Sequence, residues 1–318
     1  MRVLLTGSSG WLGRFLAPAL ARAGHAVTGL DIAPGAHTDV IGSVADAGLV
    51  EQLLAEHRFE GVIHAGALHK PDIVRYPAQA FIDVNVSGTL NLLEAAVRHG
   101  AGPFVFTSTT SLMITQAIRD EVAAQAVWLD ETSGPLKPRN IYGVTKRAAE
   151  ELCRLWHDLH GLPVVALRVS RFFPEDDDTH EAPSGENLKA NEFLNRRLTV
   201  EDCAAAHLAA LDAAPRIGWS TYVVSASPPF TRADAARLKH DAVALIAERF
   251  PDAPALYAAR GWVLPDSIGR VYDPSAIERD LGFRCETDFA AVLAALREGE
   301  PLPFTHDPGY VPPKELGR

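Results

Sequence analysis

Three features of the sequence predict an α/β fold built on a doubly wound parallel sheet. Short apolar or β-branched runs alternate with longer amphipathic stretches, a glycine-rich turn joins the first run to the first such stretch, and an aspartate closes the second run. The chain has 318 residues, 47% hydrophobic and 22% charged, which fits a folded chain and not a disordered, collagen-like or fibrous one. A chain of that length buries most of its apolar surface without metal or disulfide staples. Its three cysteines, Cys153, Cys203 and Cys285, cannot all pair with one another, so a reducing, cytoplasmic setting is expected. A formal net charge of -10 opposes contact with phosphate backbones and anionic lipid, so neither nucleic acid nor membrane is expected as a main partner.

Taken in order, the run from Arg2 to Thr6 is too short for the apolar core of a signal peptide and breaks at Gly7, so it reads as the first strand. Further strands are expected at Ala26 to Leu30, Gly61 to His64, Phe104 to Thr107 and Val164 to Arg168. Helices are expected at Trp11 to Ala23, Asp46 to His57, Ala78 to His99 and Gly143 to His160, with Gly24, Gly100 and Gly161 as stop signals. Phe173 to Asn195 is polar, carries the acidic run Glu175 to Asp178 and shows little periodicity, which predicts a loop or lid. A helix at Glu201 to Ala214, a strand at Thr221 to Ser225 and helices near Arg232 to Arg249 and Asp288 to Arg297 follow, with a Pro-rich tail after Glu300 extended over the surface. The division expected is a dinucleotide-binding domain over 1–171 to which 199–226 return, and a smaller substrate-binding lobe from 172–198 and 227–318.

The turn Thr6-Gly7-Ser8-Ser9-Gly10-Trp11-Leu12-Gly13 lies between first strand and first helix, where a tight backbone brings amide N–H groups against a pyrophosphate. A Cβ would block either the turn or the phosphate, which is why the turn needs glycines, and Gly7, Ser9, Gly10, Trp11 and Leu12 on it are candidate cofactor contacts. The spacing is GxxGxxG and not GxGxxG. Asp31 stands where a Rossmann-type fold places the carboxylate that takes hydrogen bonds from a ribose, and it would repel a 2′-phosphate, favouring NAD over NADP. Its plainer role would be to end a strand and open the turn Ala33-Pro34-Gly35.

Tyr142 and Lys146 stand four apart at the start of a helix, on one face. A phenol of ordinary pKa, about 10, is a poor base at neutral pH, but a neighbouring ammonium favours its phenolate. Such a tyrosine can take the proton of an alcohol as hydride leaves the same carbon. The pair alone is also the pattern of a solvated helix face.

With these motifs in order the chain resembles the extended short-chain dehydrogenase/reductase family, the NAD-dependent epimerase/dehydratase group. The resemblance runs over residues 1–225 through TGSSGWLG, Asp31, Val62 to Ala67, Asn85 in DVNVSGTLNLLEAA, FTSTTS, YGVTK and LTVEDCAAAHLAAL, with a weaker echo from Val271 to Phe283. It implies Tyr142 as general acid/base, Lys146 as the group that lowers its pKa and holds the nicotinamide ribose, and Thr109 as partner of the reacting oxygen, with Ser108 and Ser111 as alternatives. It further implies that Asn85, Ala65, Gly66, Ala67, Thr107 and Ser108 line the cofactor and that Ser43 and Val44 meet the adenine. Ser43 departs from the usual aspartate.

Other departures bear on substrate. Family dehydratases carry an Asp-Glu pair after the catalytic threonine, where this chain has Thr110 and Ser111, so elimination is not expected. About thirty residues between Arg168 and Leu198 leave little room for a nucleotide handle. The run RVSRFFPE resembles the sugar-acid dehydrogenases of the family, and Arg171 would clamp a carboxylate or phosphate, or else pair with Glu175 or an aspartate of 176–178. His69, Lys70 and Thr110 are candidate substrate neighbours, as are Arg196 and Arg197, although a solvated loop accounts for several of them. The segment Met113 to Leu136 is expected as an extra loop beside the site. Twelve histidines show no ligand spacing, so no metal is expected. Trp156 with Leu152, Leu155 and Leu159 reads as core, and a homodimer is expected through helices Ala78 to His99 and Gly143 to His160. The expected activity is hydride transfer at a secondary alcohol of a sugar, sugar acid or nucleotide sugar, as dehydrogenase or epimerase. The competing expectation is a non-enzymatic NAD sensor or scaffold.

Overall fold

The computed structural model describes residues 1–176, 183 and 185–315. Nine strands are present among them: β1 (Arg2–Thr6), β2 (Ala26–Asp31), β3 (Val40–Ile41), β4 (Gly61–His64), β5 (Phe104–Thr109), β6 (Val127–Leu129), β7 (Val164–Val169), β8 (Trp219–Val224) and β9 (Arg270–Tyr272). Seven form a parallel sheet in the order β3-β2-β1-β4-β5-β7-β8. The order turns back on either side of β1, and a crevice opens there at the carboxyl ends of the strands.

Both faces of the sheet are covered, which is why its strands read as continuous apolar runs. Val3, Leu5, Ile63, Val105, Val165 and Leu167 point to one face and pack on Leu12, Leu16 and Leu20 of helix Trp11–Arg22 and on Ala210 and Leu211 of helix Val200–Ile217. The alternate residues Leu4, Val62, Phe104, Phe106, Val164 and Ala166 meet Leu53, Leu54, Leu92, Leu93, Ala149 and Cys153 from helices Ala47–His57, Gly88–His99 and Ile141–His160. Asp46 and Asn140 cap two of these helices through backbone N–H groups of Leu49 and Gly143.

The structure departs from the expected elements where local pattern is weakest. Strands β3, β6 and β9 are two or three residues long and carry no periodicity of their own. The helix expected at Ala78 to His99 is interrupted by a wide π turn at Ile82–Ser87, and that at Arg232 to Arg249 breaks at Asp241. The segment expected as loop or lid holds a helix, Gly185–Glu192, and Leu188, Ala190, Phe193 and Leu194 beside it are buried. Its polar side chains bond inward, Asn187 to the Val263 backbone at both N–H and C=O and Asn195 to Arg270 O, which accounts for the misleading composition. Asp177 and Asp178 of the acidic run lie outside the described residues. On helix Ile141–His160, Trp156 is half-buried against the core, but Leu155 and Leu159 face outward and are exposed. The extra loop after Thr109 contains helix Gln116–Arg119 and β6, which pairs with β9 (Val127 with Arg270) and so ties the insertion to the C-terminal part of the chain.

The tail does not lie loose over the surface. Phe304 is buried against Phe193, Tyr310 meets the Trp11 ring edge-on at 5.0 Å, Lys314 Nζ reaches Asp72 at 2.5 Å, and Glu315 pairs with Arg75 at 2.9 Å. Its prolines permit an extended course, and these anchors choose its path across the crevice.

A Cβ on Gly13 would fall 2.2 Å from Gly7 O and 2.7 Å from Ser8 backbone atoms, whereas one on Gly48 would meet only Asp46 Oδ1 at 3.4 Å. Gly13→Ala is therefore expected to cost about 1–3 kcal/mol or more, and Gly48→Ala to stabilise by about 0.5–1 kcal/mol. Urea midpoints of the two variants check the contrast, and equal midpoints would refute it.

Candidate active site

The crevice is a cleft of about 780 Å³ reaching from Asp31 past Tyr142 to Arg270. At its floor, Gly7 takes φ +77°, and a Cβ there would fall 2.7 Å from Gly66 N, so the glycine turn and the loop after β4 touch backbone to backbone. The helix that follows starts at Trp11 without a side-chain cap, so its first N–H groups are left for an anion. Asp31 closes β2, its two oxygens accepting from Ser9 N (3.0 Å) and Ala33 N (3.1 Å), with a lone pair on each oxygen left for a further donor. Ser9, Gly10, Leu12, Ser43, Val44, Ala65, Gly66, Ala67, Thr107 and Ser108 line the cleft.

Asn85 does not. It is buried behind the wall, where its carboxamide accepts from Leu68 N (2.8 Å) and donates to Leu68 O (3.0 Å), so it shapes the loop instead of lining the cleft. Two histidines that the sequence did not single out brace the same region. Thr89 gives its one proton to Asn85 O, so His64 must donate to it from Nε2 and accept from Thr6 at Nδ1 (2.7 Å). His207 donates from Nδ1 to Cys203 O and accepts from Thr107 at Nε2 (2.7 Å). Burial holds both neutral, His64 near 3 and His207 near 4.

Tyr142, in the first turn of its helix, and Thr109, the last residue of β5, converge in the cleft with Lys146 one turn further on. All three are buried. Burial pushes the Tyr142 phenol up to about 12; the hydrogen-bonding hydroxyl of Thr109 works against this, and the carboxylate of Asp72 adds to it. The expected lowering is thus not supplied by the chain alone. Burial brings Lys146 down to about 8, opposed by Cys153 and Glu150, with its ammonium 4.3 Å from the centre of the Phe106 ring. Ser108 donates to Glu150 at 2.5 Å, and Glu150 is clamped by Arg168 at 2.8 Å, so Ser108 is committed to a buried ion pair and Thr109 is the hydroxyl beside the phenol. Thr110 turns its hydroxyl towards Val169 O.

His69 stacks on Tyr142 (centroids 5.8 Å apart, 13° between planes) and takes the edge of Phe173. Burial and the ammonium of Lys314 hold it down to about 3, Asp72 opposing. Arg171 lines the cleft and sits 3.4 Å from Glu192, a partner other than those the sequence offered. Glu192 is buried and also binds Arg196 (3.2 Å) and Arg197 (2.8 Å). Among the described residues no three His, Cys, Asp or Glu side chains gather as metal ligands, and no helix is long and apolar enough to cross a membrane.

A doubly wound sheet, a glycine turn meeting the neighbouring loop backbone to backbone and a buried Thr-Tyr-Lys cluster define a dinucleotide-binding α/β protein. The chain belongs to the NAD dependent epimerase/dehydratase family, whose model matches residues 3–224. It is 27% identical over 180 residues to a uronate dehydrogenase of Pseudomonas syringae pv. tomato, covering 55% of this chain and 60% of that one. It is 29% identical over 285 residues to a dTDP-glucose 4,6-dehydratase of Streptomyces antibioticus, covering 81% of this chain and 74% of that one. A short-chain dehydrogenase/reductase superfamily protein of Agrobacterium tumefaciens, solved with bound NAD, shares the fold with a TM-score of 0.65 at 23% identity, covering 94% of this chain and 98% of that one. NAD is the family's cofactor, and the glycine cradle, the uncapped helix start and the spare lone pairs of Asp31 suit it.

Against the 10.5 of an ordinary lysine, Lys146 near 8 means that between these values the unfolded chain binds a proton the folded chain lacks, so stability from this group rises with pH through that window. Lys146→Met is expected to be more stable than the parent protein at pH 7, by about 3 kcal/mol at most, the gap narrowing above pH 8. Urea melts from pH 7 to 10 check this, and a pH-independent gap would refute it.

Proposed function

We propose that the protein is an NAD-dependent oxidoreductase acting on a secondary alcohol of a carbohydrate-like substrate. The observation that carries the reading is the convergence of Thr109, Tyr142 and Lys146 in a cleft whose other end is the glycine cradle. NAD, when bound, supplies the hydride acceptor. In the proposed reaction Tyr142 takes the hydroxyl proton at its phenol oxygen while Thr109 hydrogen-bonds the reacting oxygen. Lys146, one turn on from Tyr142, is assigned the positive charge that favours the phenolate once NAD is bound, since the chain alone leaves the phenol raised. His69 covers the phenol ring, Phe173 packs against His69, and together they exclude water in this reading.

Elimination is disfavoured because Thr110 and Ser111 supply neither the acid nor the base it needs. Of the relatives' activities, the uronate dehydrogenase fits this site better than the dehydratase does. Dehydrogenase and epimerase differ only in whether the reducing equivalent is released, which substrate recovery alongside NADH absorbance distinguishes. For assembly we propose a homodimer through helices Gly88–His99 and Ile141–His160, supported by the exposed Val144, Leu155 and Leu159.

Tyr142→Phe is expected to lower turnover by about 10²–10⁴-fold. NAD affinity, read by nicotinamide-quenched tryptophan fluorescence, should stay within a few-fold. Unchanged turnover would sink the assignment of Tyr142.

A further inference from the structure

The far end of the cleft, beyond Tyr142, is lined by Arg119, Arg139 and Arg270 from three separate elements. Arg119 ends the short helix of the insertion after β5, Arg139 precedes the cap of the Tyr142 helix, and Arg270 opens β9, paired with Val127 of the same insertion. Their situation differs from that of Arg171, Arg196 and Arg197, each of which has the buried Glu192 carboxylate within ion-pair distance. Among the described residues none of Arg119, Arg139 and Arg270 has a carboxylate within ion-pair distance. Arg139 donates only to a carbonyl, Ile114 O at 3.3 Å.

Arg270 is the telling member. It is 9% exposed, it lines the cleft, and its Nε has no hydrogen-bond partner. A buried guanidinium without a counter-charge is costly, so proteins rarely keep one that no ligand completes. The three also act on one another: Arg119 and Arg270 both press the Arg139 guanidinium below its usual value alongside burial, with only the exposed Asp120 opposing. Of the carboxylates that line the cleft, Asp31 stands at the glycine turn, Asp72 and Glu315 pair with Lys314 and Arg75, and Glu175 and Asp176 lie among Lys189, Arg171, Arg197 and His306.

We propose that Arg119, Arg139 and Arg270 form an anion site for a phosphate monoester, and that the substrate of the oxidoreductase is a compact sugar phosphate. The second half rests on the function proposed above. Three guanidinium groups match a group of charge about -2 with three terminal oxygens better than a singly charged carboxylate. A cleft of about 780 Å³ must take the dinucleotide as well, which leaves space for a small substrate and not for one with its own nucleotide.

The test is a calorimetric titration of inorganic phosphate into the full chain saturated with NAD, which occupies the glycine cradle, at fixed ionic strength and with glucuronate as the carboxylate comparison. Saturable phosphate binding is expected, weakened at least tenfold in Arg270→Gln and in Arg139→Gln, with NAD affinity unchanged. Arg270→Gln removes an unpaired buried charge, so it should fold at least as stably as the parent protein, and the exposed Arg139→Gln gives an independent reading. Equal phosphate affinity in parent and variants would overturn the site. Glucuronate binding without phosphate binding would overturn the phosphate monoester. With hexose 6-phosphates and their parent hexoses, kcat/KM is expected to favour the phosphates, and the preference to shrink in both variants. Equal rates on both would overturn the substrate half. Absence of hydride transfer from any substrate would instead count against the oxidoreductase reading, while the titration decides the anion site by itself.

Discussion

The structure depends on one close approach, that of three backbone segments at the carboxyl end of β1. Gly7 lies against Gly66 with no room for a Cβ, and Gly13 brings the first helix onto Gly7 O and Ser8 with still less. Because parallel strands and their crossover helices are joined rigidly, this contact sets how near the helix start comes to the crevice and where the loop after β4 runs. The loop in turn is clamped by Asn85 at Leu68 and carries His69 to the face of Tyr142. The glycine turn therefore governs the cofactor end of the cleft directly and the chemical end through one short loop.

Buried charge organises the rest. Glu150 is held by Arg168 and Ser108 beneath the helix of Tyr142 and Lys146, and Glu192 is held by three arginines where the chain leaves β7. Such groups add little net stability over an apolar alternative, but each fails badly if one partner is removed, so they specify a particular arrangement of elements. The first arrangement commits Ser108 and leaves Thr109 beside the phenol. The second seats helix Gly185–Glu192 against the sheet, from which Asn195 reaches Arg270 O.

The C-terminal strap closes the cleft from outside. Asp72 receives both the backbone N–H of His69 (2.6 Å) and the ammonium of Lys314, so the loop beside Tyr142 is tied at one point to its own turn and to the end of the chain. Tyr310 against Trp11 ties the same strap to the glycine turn. Both ends of the cleft thus sense the strap, although more than 200 residues of sequence lie between Asp72 and Lys314.

What the sequence by itself determined is whatever local chemistry encodes: six of the seven main strands, the long helices, the glycine turn, Asp31, and Tyr142 with Lys146 one helical turn apart. Strand alternation, helical periodicity and positive-φ glycines are short-range constraints, so they are visible without knowing what packs where. Tertiary structure decided the remainder. Pairing of β6 with β9, burial of the polar helix after β7, the partners of Glu192, the path of the tail and the three arginines at the far end of the cleft all join residues distant in sequence. None carries a period or a motif, because a three-residue strand or a lone arginine acquires its role only from the partner that folding brings to it.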